Sequence, residues 1–236
     1  MSSHPPTSVL LPTVSPTPVI EEVAAQLGPS DELLIVCDAD SDPIADRAAA
    51  LPEGVRVVVA GEPEGCSGKA NAIAAGMEAA KHDRLVWTDD DFTHPEGWLD
   101  QLHADYERDG PTTELPFFVG RDPLSVLLEP LYAVAGTLGT YTGDIAWGGA
   151  VIFERSDLPD EAAFVGDLRS TVSDDGLLTD RVGITPVKRT RRVEMGGTIR
   201  ETLERHVRFT KLGRHHDPGG STANAVIGTL ATAGGL

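Results

Sequence analysis

Short runs of apolar and β-branched residues alternate with stretches of helical composition over the first 108 residues of the chain. This alternation favours a parallel sheet with helices on both faces, because parallel neighbouring strands need a crossover connection. We therefore expect an α/β fold with a mostly parallel, doubly wound sheet flanked by helices. The helix predicted at 95–108 would carry a proline, Pro95, in its first turn. The predicted strands are 8–11, 33–37, 55–60 and 84–88, and the predicted helices are 18–27, 44–50, 68–81 and 95–108.

The second part of the chain has a less regular pattern. Strands are predicted at 115–119 and 150–154, and helices at 175–182 and 198–212. This mixed order indicates that the second half of the chain has a different role from the first, such as binding a second ligand. Because no linker separates the two, we expect them to share one core in a single domain over residues 1–236.

The charge balance of the chain is strongly acidic, with a formal net charge of −18 and a pI of about 4.6. This excludes nucleic acid as an expected partner, because phosphate binding requires a basic face. Of the 19 basic residues, only four are lysine. An acidic, lysine-poor surface is typical of a high-salt cytoplasm, where charge repulsion is screened. We therefore expect a halophilic protein, with a mesophilic acidic protein as the alternative.

The cysteines, the first residues and the apolar runs indicate the cellular compartment of the protein. Cys37 and Cys66 are isolated thiols, which favours reduced cysteines in a reducing compartment. Residues 1–6 lack the basic and apolar regions of a secretory signal. No uninterrupted apolar run reaches the roughly 18 residues that span a bilayer, and 124–139 comes closest. We expect a cytoplasmic protein without a transmembrane span.

Acidic residues follow two of the predicted strands. The second strand runs into Asp38-Ala39-Asp40-Ser41-Asp42, and the fourth into Asp89-Asp90-Asp91. In open parallel sheets, ligands bind beyond the carboxyl ends of the strands. Three consecutive carboxylates repel one another unless a cation lies among them, and hard divalent ions often bridge carboxylates and substrate phosphates. The second acidic run is therefore a candidate metal–diphosphate site. The alternative is a solvated turn that caps the following helix.

A third acidic pair, Asp174-Asp175, opens a predicted helix. One interpretation is N-capping together with a favourable interaction with the helix dipole. The functional interpretation is a general base within an acidic pocket. The sequence leaves both open.

Basic residues concentrate between Lys188 and Arg214, where nine lysines and arginines face three glutamates. Arg205 and Arg208 lie three residues apart, hence on one face of a helix, and two guanidinium groups suit a diphosphate. Internal ion pairing with the acidic surface is the alternative. A basic patch that faces a membrane is a third interpretation.

Several other motifs are less specific. Residues 61–70 depart from a phosphate-binding loop, because Pro63 holds a glycine position and Ala70 replaces Ser or Thr. No GxGxxG follows the first strand, which argues against a dinucleotide dehydrogenase. Trp147-Gly148-Gly149 precedes a strand and would form either a sugar platform or a packed tight turn.

Taken in order, these segments resemble the family 2 glycosyltransferases with the GT-A fold, most closely the ceramide glucosyltransferase-like branch. The resemblance extends from Ser8 to about Arg214. Each segment is weak alone, and the specificity lies in their order and spacing. The matching segments are 8–12, 36–43, 68–72, 89–91, 148–153, 173–175 and 205–211. The resemblance implies a nucleotide-binding half at 8–108, an acceptor-side and catalytic half at 109–214, and a tail at 215–236.

The resemblance also implies roles in binding the donor. Asp38 would hold the nucleotide base, and Pro12 lines the same pocket. Lys69 lies in the family's donor-side glycine-lysine segment. Arg205 and Arg208 match the basic positions of the (Q/R)xxRW motif and would lie near the diphosphate.

Further roles follow for the acids. Asp89 and Asp91 match the outer acids of the DxD motif around Asp90. Asp91 would bind Mg²⁺ or Mn²⁺, and Asp89 the ribose or the metal. Asp175 matches the second acid of the family's acidic pair, after Asp174, and would be the catalytic base.

The implied activity is inverting transfer of a sugar from a nucleotide-diphosphate donor, first of all a UDP-sugar, to an acceptor hydroxyl of a lipid or glycan. The acceptor side would include Trp147, Gly148, Gly149 and Phe209, where Phe209 replaces the tryptophan of the motif. The branch also carries membrane helices that this chain lacks, which leaves peripheral contact at the inner membrane face open. A sugar-1-phosphate nucleotidyltransferase and a non-catalytic nucleotide-sugar-binding protein are the alternatives.

Overall fold

The computed structural model describes residues 4–216 and residue 219, except for some side chains between 129 and 135 and between 209 and 216. Each strand is followed by at least one helical segment. Three single-turn or irregular helices, at Ala45–Ala50, Ala133–Leu138 and Arg155–Asp157, complete the set. In chain order the main elements are β1 (Thr7–Pro12), α1 (Val19–Ala24), β2 (Glu32–Cys37), β3 (Val55–Val59), α2 (Gly68–Ala79), β4 (Arg84–Thr88), α3 (Trp98–Asp109), β5 (Thr112–Gly120), α4 (Pro123–Tyr132), α5 (Gly139–Thr142), β6 (Ala150–Glu154), α6 (Glu161–Leu168), α7 (Asp174–Arg181), β7 (Thr185–Met195) and α8 (Ile199–His216).

The seven strands form one sheet in the order β3-β2-β1-β4-β6-β5-β7. The pairs among β1 to β4 are parallel, β6 is antiparallel to both β4 and β5, and β7 is parallel to β5. Six strands therefore end at the same edge of the sheet, and only β6 runs the other way. The predicted α/β fold class, with its mostly parallel sheet flanked by helices, is confirmed. Strands from both parts of the chain belong to this one sheet.

Both faces of the sheet are covered, which explains why the central strands β1, β2, β4 and β6 are buried at nearly every position and mostly apolar. Val9 and Leu11 point into one core with α1 and α3, whereas Leu10 points into the opposite core with α2. Successive strand residues point to opposite faces, so β1 contributes to both cores. Gly76 lets α2 approach the sheet closely, because a Cβ there would lie 2.7 Å from Leu10 Cδ2.

Two helix predictions need correction. The segment predicted as a helix at 44–50 is a 3₁₀ helix over Ala45–Ala50. The helix predicted to begin at Pro95 begins at Trp98, because Gly97 adopts a left-handed backbone with φ of 76° and interrupts the preceding turn. Pro95 lies in that turn, where its carbonyl accepts a hydrogen bond from the Trp98 amide at 3.0 Å.

The strand β7 was missed because its sequence is rich in basic residues. Its arginines are tied to the neighbouring strand and to α3. Glu114 of β5 is fully buried, and its carboxylate accepts hydrogen bonds from Arg191 Nη2 at 2.6 Å and from Arg189 Nε. Arg189 also pairs with Asp105. For this part of the basic segment, internal ion pairing is the interpretation that the structure supports.

No helix in the described part of the chain is both long and apolar enough to cross a bilayer.

Candidate active site

The acidic runs predicted from the sequence meet at the carboxyl edge of the sheet. Asp38 follows β2, and Asp89 to Asp91 follow β4, with β1 between these two strands. Asp89 is half-buried, and its amide donates to the carbonyl of Gly149 at 3.1 Å. Asp90 and Asp91 are exposed. This edge is the position at which open parallel sheets bind ligands.

Lys69 joins two of the acidic runs. It is the second residue of α2, and the Ser67 hydroxyl caps this helix by accepting from the Ala70 amide at 3.1 Å. The Lys69 ammonium lies 2.7 Å from Asp89 Oδ1 and 3.1 Å from Asp174 Oδ2. Burial disfavours this charge, but the carboxylates around it outweigh burial and hold the pKa of Lys69 well above its usual value. One lysine therefore connects the end of β4 to the start of α7.

The pair Asp174-Asp175 lies in the first turn of α7, but neither residue caps the helix. Ser173 is the N-cap, and its hydroxyl accepts from the Gly176 amide at 3.1 Å. The two carboxylates are therefore available to the site. Asp175 Oδ1 accepts a hydrogen bond from the Gly148 amide at 2.7 Å. Burial and then the charge of Asp174 raise the pKa of Asp175 to about 7.

Gly148 lies against this pair of carboxylates. A Cβ at this position would lie 2.7 Å from both Asp174 Oδ2 and Asp175 Oδ1, so no side chain fits without moving the pair. Trp147 is only 8% exposed and packs on Phe92 with ring centroids 5.3 Å apart. A Cβ at Gly149 would collide with the Trp147 ring. The structure thus supports the packed interpretation of Trp147 rather than the sugar platform.

Asp91, the metal ligand predicted from the sequence, lies at the surface of this edge. Its side chain is exposed, and partial desolvation with the charges of Asp89 and Asp90 raises its pKa to about 6. The described residues contain no group of three His, Cys, Asp or Glu side chains that could hold a metal by itself. Mg²⁺ is commonly bound by one or two carboxylates with substrate phosphates as further ligands. Asp91, with Asp89, fits that kind of site.

Asp38 lies near the start of α2. Its carboxylate is 3.9 Å from the position that a Cβ on Gly68 would take. The loop after β2 is closed by Asp42, whose carboxylate accepts from the amides of Asp38 at 2.9 Å and Ala39 at 2.8 Å. Pro12 ends β1 and pairs with Val36 of β2. Asp38 and Pro12 therefore line the same end of two adjacent strands.

Two residues that position the acidic run were missed from the sequence. Thr13 donates its hydroxyl proton to Asp90 Oδ2 at 2.6 Å, which ties the end of β4 to the end of β1. His94 is buried, its ring lies 2.6 Å from the Thr88 hydroxyl, and burial lowers its pKa to about 3. Thr13 could have been found, because it lies two residues after the end of the predicted strand 8–11. No local pattern marks His94.

Arg205 and Arg208 lie on α8 rather than in the carboxylate cluster. Arg205 Nη2 donates to the carbonyl of Gly196 at 3.0 Å. Arg208 lines a groove of about 500 Å³. The other lining residues are Val172, which precedes α7, and further residues of α8. The side chain of Phe209 and most of the predicted tail at 215–236 fall outside the described part of the chain.

A mostly parallel sheet with carboxylates and a lysine gathered at its carboxyl edge defines the class of the protein as an α/β protein with a candidate ligand site at that edge. The chain belongs to glycosyl transferase family 2, whose model matches residues 17–149. This match includes Asp38, Lys69 and the acids after β4, and it ends before Asp174-Asp175. No curated protein matched the sequence.

The fold is similar to that of glucosyl-3-phosphoglycerate synthase from Mycobacterium tuberculosis. The complex of that enzyme with Mn²⁺ and UDP-glucose has a TM-score of 0.54 and 21% identity, with 91% of this chain and 79% of the other covered. The complex with phosphoglyceric acid has a TM-score of 0.53 and 20% identity, covering 91% and 80%. At these identities the similarity concerns the fold. These structures do not support the narrower resemblance to the ceramide glucosyltransferase-like branch.

Proposed function

We propose that the protein is an inverting glycosyltransferase that moves a sugar from a nucleotide-diphosphate donor, first of all a UDP-sugar, to an acceptor hydroxyl. The observation that carries this proposal is the bridge by Lys69 between Asp89 and Asp174. Through this one lysine, an acid predicted to bind the donor and an acid of the predicted catalytic pair lie beside each other. Family membership and the similarity to a UDP-glucose-binding enzyme support the same reaction class.

In this proposal, the donor lies along the carboxyl edge of the sheet. Asp38 and Pro12 hold the nucleotide base, Asp89 contacts the ribose or the metal, and Lys69 lies on the donor side. Asp91 would hold a divalent cation, which when bound would supply charge that neutralises the diphosphate. Mn²⁺ is the ion in the related complex with UDP-glucose, which makes it the first ion to test.

Asp175 is the proposed general base. Its carboxylate takes the proton from the acceptor hydroxyl while that oxygen forms a bond to the anomeric carbon. The bond from the anomeric carbon to the diphosphate oxygen breaks, and the diphosphate leaves with the electron pair. The Gly148 amide holds the Asp175 carboxylate in one orientation, and a pKa near 7 lets it accept and release a proton near neutral pH.

The proposed donor site is tested by calorimetric titration of UDP, with and without Mn²⁺. We expect Mn²⁺-dependent binding by the unchanged protein and loss of the Mn²⁺ effect in Asp91→Ala. The matched control is Asp83→Ala, which removes an exposed carboxylate at the opposite end of β4 and should bind as the unchanged protein does. An Asp91→Ala protein with undiminished Mn²⁺-dependent binding would remove Asp91 from the site.

The rate of transfer should rise with pH. The pKa of Asp175 is raised, so this residue is protonated and inactive as a base below about pH 7 and becomes active above it. The measurement is kcat/KM against pH, which reports the free enzyme. A profile that is flat from about pH 5 to 8 would contradict the role of Asp175.

Product analysis separates the alternatives. A glycosyltransferase releases UDP from a UDP-sugar, a sugar-1-phosphate nucleotidyltransferase forms pyrophosphate, and a binding protein releases neither. The acceptors to screen are hydroxyl compounds of lipid or glycan type. Phosphoglyceric acid belongs in the screen because it is the molecule bound in the related enzyme.

A further inference from the structure

Exposed apolar side chains are more frequent in the second part of the chain than in the first. Of the 11 large apolar side chains that are exposed among the described residues, eight lie between residues 126 and 207. Single exposed apolar residues are ordinary on a protein surface, whereas a contiguous group marks an interaction site. In this part of the chain, α4 and α8 are in contact.

The clearest group follows one face of α8. Ile199, Leu203 and Val207 are spaced four residues apart, hence on one face of the helix, and they are 69%, 55% and 48% exposed. Val172, 56% exposed, lies across the apolar groove of about 500 Å³ from Leu203 and Val207. We call this surface, with its exposed basic residues, the α8 outer face. It consists of Val172, Ile199, Arg200, Leu203, Val207 and Lys211.

The charge of α8 is opposite to that of the rest of the protein. The helix has five arginines and lysines against two glutamates, in a chain with a net charge of −18. The basic residues of β7 differ in this respect, since Arg189 and Arg191 are bound to the buried Glu114. Arg200 is 86% exposed, pairs with Glu204 on the same helix, and stays at the surface. The α8 outer face thus combines apolar side chains with a local positive charge.

We infer that the α8 outer face docks on an anionic lipid surface. A helix that presents apolar residues beside lysines and arginines is the kind that lies in the plane of a membrane interface. Anionic headgroups and the acyl boundary together match both properties of this face. A symmetric dimer through α8 would instead bring the same basic residues of two copies together.

Salt screens the repulsion between the acidic remainder of the protein and an anionic membrane. At physiological ionic strength the Debye length is about 8 Å, so charges farther than that from the membrane are largely screened. Docking here would also bring the lipid surface next to the candidate active site. Val172 lies two residues before Asp174, a distance that the chain spans in at most about 7 Å. The inference goes beyond the proposed function and does not depend on the reaction.

The experiment is sedimentation of the full chain with vesicles of phosphatidylcholine alone or of an equal mixture with phosphatidylglycerol, at about 0.1 M salt, where the Debye length is about 10 Å. We expect binding to the anionic vesicles only. The double variants Leu203→Ser/Val207→Ser and Arg200→Gln/Lys211→Gln should each weaken binding about tenfold or more. The matched control Val59→Ser/Arg47→Gln changes exposed residues of the same types elsewhere and should bind normally.

Thermal unfolding of each variant separates loss of docking from loss of the fold. Equal sedimentation with both vesicle types, or equal binding by the α8 variants and the control, would overturn the inference. Absence of binding to either vesicle would overturn it as well. A protein that forms dimers, and loses them in Leu203→Ser/Val207→Ser, would assign the α8 outer face to a second copy of the chain.

Discussion

Asp175→Asn is expected to lower kcat by about 10²- to 10⁴-fold while UDP binding stays at the level of the unchanged protein. Asparagine has nearly the same shape and keeps the oxygen that accepts from the Gly148 amide at 2.7 Å. The ion pairs of Lys69 with Asp89 and Asp174 also remain. The amide cannot take the proton of the acceptor hydroxyl, so only the chemical step is affected.

The measurement is steady-state transfer from a UDP-sugar together with calorimetric titration of UDP. Asp180→Asn is the matched control, because Asp180 is an exposed acid on the same helix. Turnover by Asp175→Asn within a few-fold of the Asp180→Asn control would refute the role as base. Loss of UDP binding in Asp175→Asn would instead indicate that the residue shapes the donor site.

Glu114→Gln is expected to lower the free energy of unfolding by about 3–5 kcal/mol, the range found when one partner of a buried ion pair is removed. Glu114 is fully buried and binds Arg189 and Arg191 of β7. The Glu114 carboxylate also accepts a hydrogen bond from the indole N–H of Trp98 at 3.1 Å. Glutamine keeps the volume but leaves two guanidinium groups beside α3 and β5 without their shared counter-charge.

Urea unfolding of the two proteins measures this difference. The control is Glu194→Gln, since Glu194 pairs with Arg121 and Arg192 but is 41% exposed. Exposed pairs contribute about 0–1 kcal/mol, so this variant should unfold almost as the unchanged protein does. Equal losses in the two variants would show that the Glu114 cluster does not hold β7 on the sheet.

Local sequence patterns predicted most of the first half of the fold. The strand predicted at 33–37 is Glu32–Cys37, and the one predicted at 84–88 is Arg84–Thr88. These strands are buried on both faces, so their apolar runs have clear ends. The pattern failed at β7, whose alternating arginines resemble a solvated segment until Glu114 is placed beside them.

The candidate site divides in the same way. The sequence by itself determined the acids at the strand ends, because a parallel sheet brings the carboxyl ends of its strands to one edge. Only the tertiary structure decided that Gly148 holds Asp175 and that Lys69 lies between Asp89 and Asp174. Those contacts join residues far apart in the chain, and their geometry depends on how α2 and α7 pack on the sheet. Periodicity and capping patterns act over one or two turns and carry no information about such distances.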